Sequence, residues 1–101
     1  MTTTTSKPRF NPGVLLLTRG ASEAFERNGQ TPLSFFQKHC SGDWGNLCDE
    51  DRMLNDQALV DGSRLLSAYT LKDGTAIWII TEATDDNGQR AATTILKPEE
   101  Y

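Results

Sequence analysis

The sequence is poor in the groups that usually carry chemistry. It holds two cysteines and one histidine in 101 residues. Cys40 and Cys48 are too few for a disulfide framework and form no C-x-x-C pair. The opening stretch, rich in threonine, lacks the apolar core of a secretory signal. The thiols are therefore expected to be reduced, in a cytoplasmic protein. No apolar run is long enough to cross a bilayer, the leucine-rich Val14–Leu17 included, so no membrane association is expected. A phosphate-cradling glycine loop, H-E-x-x-H and G-x-S-x-G are all missing. No cofactor is expected. A basic excess is missing as well. The net charge is −4, which argues against a chain that grips nucleic acid by its phosphates. The imbalance lies wholly in residues 51–101, with five basic and nine acidic groups. Such a surface aids solubility or faces a basic partner.

What is there reads as a folded chain. The composition is 37% hydrophobic and 24% charged, ordinary for a globular protein. Residues 1–12 read as a flexible tail and residues 13–101 as one α+β domain of order β-α-α-α-β-β-β. Val14 to Arg19 is a first strand, whose unbroken apolar run suggests burial on both faces. Ser22 is a candidate cap for a short helix that Gly29 stops. Thr31-Pro32 opens a second helix, with Leu33, Phe36 and Cys40 inward and Phe35 widening the stripe. Asp49, Glu50 and Asp51 suit the positive end of a third helix, with Leu54, Ala58 and Leu59 apolar and Gly62 as its stop. Arg64 to Leu71, an Asp73-Gly74 turn, Thr75 to Glu82 and Ala91 to Lys97 then give a three-strand meander. The helices are expected to cover one of its faces. The N-terminal segment, or a partner, is left for the other.

Six residues stand out as a candidate binding set: His39, Asp43, Trp44, Arg64, Tyr69 and Glu82. Gly42 and Gly45 bracket Asp43-Trp44, placing an acid and a large aromatic on a tight turn. Trp44 then either plugs the core or anchors a partner. His39, the lone histidine, is the first candidate for acid–base work near neutral pH, paired with Glu82 or Asp43. It equally suits the C-terminal end of a helix dipole. Arg64 and Tyr69 would hold an anion, and Glu82 could instead pair with Arg64. A metal site at His39, Cys40, Asp43 and Cys48 is disfavoured by spacing, so no metal is expected.

The blocks Gly42-Asp43-Trp44-Gly45, Arg64-Leu65-Leu66-Ser67-Ala68-Tyr69, Ile77-Trp78-Ile79-Ile80-Thr81-Glu82-Ala83 and Thr93-Thr94-Ile95-Leu96-Lys97-Pro98-Glu99-Glu100-Tyr101 resemble a family of small bacterial proteins from plasmids, phages and other mobile elements. The resemblance spans about residues 13–101. It implies a mobile-element context and no settled activity. The polar loop 84–90 is longer than the family's turn, and could distinguish this member's partner. Two functions follow as expectations. One is a non-enzymatic interaction protein that engages a host or defence protein, with a homodimer also in view. The other is a small RNase-like enzyme of barnase or RelE layout, built on His39 and a carboxylate.

Overall fold

The computed structural model describes residues 8–101. Its elements are β1 (Val14–Leu17), α1 (Arg19–Asn28), α2 (Pro32–Cys40), α3 (Asp49–Asp61), β2 (Leu65–Thr70), β3 (Ala76–Thr81) and β4 (Ala92–Leu96), closed by a 3-10 turn at Pro98–Glu100. This is the expected α+β order. Each meander strand stops one residue inside its expected span at either end. The expected tail lies partly outside the described residues. Residues 9–12 pack against the domain: the Arg9 amide donates to the Cys40 carbonyl at 2.8 Å.

Helix ends follow local chemistry. α1 starts at Arg19 rather than near Ser22, because Thr18 takes an extended conformation and its hydroxyl accepts the Ala21 amide. The Glu100 carboxylate reinforces that start, accepting from the Thr18 hydroxyl and the Gly20 amide, where a negative charge meets the positive end of the dipole. Pro32 opens α2 and the acidic turn 49–51 opens α3, as expected.

The strands form one sheet in the order β1-β4-β3-β2, with β1 parallel to β4 and the other pairs antiparallel. One face carries Leu65, Ser67, Tyr69, Ile77, Ile79, Thr81, Thr93 and Ile95, all buried. Ala21, Ala24 and Phe25 of α1 and Phe35 of α2 close over it. Phe35 sits edge-on to Tyr69 at 5.3 Å and tilted to Phe25 at 5.6 Å. Each such buried side chain contributes about 1.5–3 kcal/mol.

Two helices turn differently from the expected stripes. α2 buries Phe35, His39 and Cys40 and leaves Leu33 exposed; α3 buries Asn55 and Ala58, while Leu54 is 66% exposed. β1 departs most. It is not an interior strand but the sheet's edge, with Val14, Leu15, Leu16 and Leu17 exposed by 62, 41, 48 and 41%. The meander β2-β3-β4 leaves two edges, and β1 takes the one on β4.

The opposite face of the sheet is only partly covered. Ile80 and Leu96 are buried there, Leu66, Ala68, Trp78 and Thr94 half-buried, and Tyr101 lies edge-on to Trp78 at 5.9 Å. Phe10 and Pro12 of the described N-terminal residues lie on the other side. Pro12 accepts a hydrogen bond from Thr93 and Phe10 packs on His39, both on the helix-bearing face.

Candidate functional site

The residues singled out by sequence fall into two groups. His39, Asp43, Trp44 and Tyr69 gather where α2 runs into the turn before α3. Arg64 and Glu82 sit at adjacent strand ends and do not join them.

His39 is fully buried. Its Nδ1 lies 2.5 Å from the Ser67 hydroxyl and its Nε2 2.8 Å from that of Thr81. Thr81 continues to Thr93 at 2.7 Å, and Thr93 donates to the Pro12 carbonyl at 2.8 Å. The carbonyl can only accept, so it sets the direction of the row as far as the ring's Nε2, and in a neutral ring Nδ1 is then the acceptor. Thr93 donates to Pro12, Thr81 to Thr93, the His39 Nε2–H to Thr81, and Ser67 to Nδ1. The last of these bonds is the one a neutral ring makes. Burial, helped by the positive charge of Arg90, indeed lowers the imidazole pKa to about 4. Neither ring nitrogen meets a carboxylate. Phe10 and Trp44 close the ring off edge-on, at 5.4 and 5.7 Å.

Trp44 is buried, and its indole N–H donates to Asp56 at 3.1 Å. Tyr69 is buried too; its hydroxyl donates to the Asp43 carbonyl, and burial raises its pKa. The Asp43 side chain is spent locally, accepting the Gly45 amide at 3.2 Å. Arg64 does not pair with Glu82: its guanidinium donates to the Tyr101 hydroxyl. Glu82 is exposed. Among the described residues no three His, Cys, Asp or Glu side chains gather as a metal would need. Cys40 is buried, which pushes its thiol up to about 11, while Cys48 is exposed just before α3.

Sequence reasoning missed two residues. Arg90, in the polar loop, is buried and donates to the carbonyls of Ser63, Glu82 and Ala58 at 2.7, 2.9 and 3.1 Å. Its cation meets the carbonyl end of α3 and stacks on Phe10. Burial lowers its pKa. Asn55, the other, faces the sheet edge. The Asn-Gly and Asp-Asp signals that mark the loop as polar give no hint that its last residue turns inward. The loop itself is a tight turn in which the Asp85 carboxylate accepts the Asn87 and Gln89 amides.

The two sheet edges are treated unequally. On β2 the Asn55 amide bonds both the Leu66 carbonyl and its N–H, as a neighbouring strand would. Next along, Ala68 donates to the Trp44 carbonyl and accepts from Asn46. Gly45 makes this possible. It has φ +74°, and a Cβ there would lie 2.0 Å from the Ala68 carbonyl oxygen. On β1 the Val14 and Thr18 amides bond Ala91 and Ile95 of the β4 side. In a parallel ladder alternate residues face one neighbour. The N–H and C=O groups of Leu15 and Leu17 therefore point away from the sheet, and no described residue bonds them.

Shallow cavities flank the domain among the described residues. One, of about 390 Å³, lies among Arg9, Phe10, Val60, Asp61, Thr84 and Arg90. Another, of about 330 Å³, lies among Phe35, Lys38, Asp43, Asn46, Tyr69 and Thr70. Neither opens onto His39. No helix among the described residues is long and apolar enough to cross a membrane. No family model, curated protein or solved structure matches the chain.

Proposed function

We propose that this chain is a non-enzymatic interaction protein that engages a protein partner through the β1 edge of its sheet. In the mobile-element setting that its sequence blocks suggest, the partner class is a host or defence protein, or a second copy. One observation carries the reading. Four consecutive apolar residues, 41 to 62% exposed, lie on a free strand edge, while the other edge is sealed by Asn55 and by Trp44–Asn46. An exposed apolar edge strand is a template for pairing with another chain, and proteins that do not use one commonly blunt it with charge or proline. Val14–Leu17 carries neither.

The RNase-like alternative has no observation to carry it. The one imidazole is enclosed, hydrogen-bonded to hydroxyls and kept neutral, and the carboxylates of Asp43 and Glu82 lie elsewhere.

A photo-cross-linker in place of Leu16, used in the native host, tests the proposal. A discrete cross-linked protein species is expected, and it should vanish when Leu15→Pro is added. Cross-linking no stronger than from a control position such as Gln89 would refute the interaction reading.

A further inference from the structure

We propose that β1 pairs antiparallel with β1 of a second copy of this chain, about a two-fold axis at Leu16, joining two four-stranded sheets into one. The inference rests on the reading of β1 as the contact edge and names its occupant.

The backbone selects the register. Leu15 and Leu17 each present an outward N–H and C=O, while Leu16 turns its own toward β4. A strand that places Leu15 opposite Leu17 of the copy, and Leu17 opposite its Leu15, exchanges all four bonds as two hydrogen-bonded pairs. Leu16 then faces Leu16 of the copy in the closer, non-hydrogen-bonded kind of pair, with Cα atoms about 4.5 Å apart. The side chains agree with the backbone. Leu15 and Leu17 fall on the helix-bearing side in both copies, and Leu16 on the opposite side, so leucine meets leucine throughout. No other sequence is needed to complete the contact, which is the mark of an isologous interface.

Charge does not oppose it. Arg19 falls opposite Gly13 of the copy rather than another cation. The helix that follows, α1, carries Arg19 and Arg27 with Glu23 and Glu26, a balanced set to bring beside itself. The pairing also sets Leu15, Leu16 and Leu17 against leucines of the copy, whereas a charged peptide would leave them facing unlike neighbours.

Sedimentation equilibrium of the purified full chain, run up to millimolar concentration, reads the outcome. A mass of two 11.2 kDa chains is expected at the upper end. Leu16→Lys sets two cations face to face and should weaken the dimer about tenfold or more. Leu15→Pro removes an outward donor that β4 does not use, and should do the same. Both should keep the native circular dichroism. In a Cys48→Ser background, Leu16→Cys should oxidise to a disulfide dimer, whereas Leu15→Cys should not. Residues 15 of the two copies sit diagonally, about 7 Å or more apart and too far to bridge. A single-chain mass at every concentration overturns the proposal, as does a dimer that survives both edge variants. Equal cross-linking from Leu15→Cys and Leu16→Cys overturns the register. A monomer whose residue 16 still cross-links to a foreign protein in the host removes the second copy and leaves the interaction reading standing.

Discussion

Burial pulls the His39 imidazole down to about 4, against about 6.5 for an unfolded chain. Between those values the unfolded chain binds a proton that the folded one refuses. The stability contribution is therefore full above pH 6.5 and is lost as pH falls toward 4, by about 3 kcal/mol in all. Urea midpoints measured at pH 7.5 and 4.5 should show that loss. His39→Gln should be less stable at neutral pH yet flatter across the same window. If the wild type is equally stable at both pH values, the enclosed neutral ring is refuted. At Arg90 the cost comes from what is left behind. Arg90→Met would strip three carbonyls of their donor at once. A loss of about 3 kcal/mol in chemical denaturation is expected, and a loss below 1 kcal/mol would remove Arg90 as the clamp between α3, β2 and β3.

Among the elements, α3 gives the sharpest contrast. Its sequence suggests that Leu54 faces inward, yet Asn55 does, because Leu66 needs a partner for its backbone more than the core needs another leucine. Leu54→Lys should shift stability by no more than about 0.5 kcal/mol. Asn55→Leu leaves a buried N–H and C=O unpaired and should cost about 2 kcal/mol. Equal effects would contradict the inward asparagine. Signals carried by one residue and its neighbours were readable in the sequence: Gly29, Pro32, Asp49 and Gly62 bound their helices as expected, and Asp73-Gly74 makes its turn. Signals that depend on a distant strand were not. An apolar run such as Val14–Leu17 reads alike whether one neighbour covers it or two, and only the strand order decides. The candidate set divides the same way. Two glycines made a turn near Asp43 and Trp44 legible; it falls at Ser41 and Gly42, and Trp44 runs on beside β2. That the histidine would meet Ser67 and Thr81 was not legible, since three separate elements must converge to bring them together.

The molecule as a whole is closed by its extremities. The first strand pairs with the last, and Glu100 ties the end of the chain to Thr18 and Gly20 at the start of α1. Those bonds hold the Glu100 carboxyl below its ordinary pKa, so the tie is present at neutral pH and weakens as acid protonates it. Glu100→Gln should lower the thermal midpoint and speed amide exchange in β1 and the first turn of α1, while central β3 stays the slowest region. Uniform acceleration over the whole sheet would count against a local tie. The closure also makes the molecule two-sided, with the helices, Phe10 and Pro12 on one face of the sheet and a partly covered apolar surface on the other.

The row of hydroxyls that ends at Pro12 has a spectroscopic consequence. Its last acceptor belongs to the main chain just ahead of β1. If that segment lifts away, Thr93 loses its acceptor, each hydroxyl in turn is free to rotate back, and the ring can carry its hydrogen on Nδ1 instead of Nε2. A nitrogen-15 spectrum of the one histidine would thus register whether the leading segment is seated, from a ring that the seated segment keeps buried.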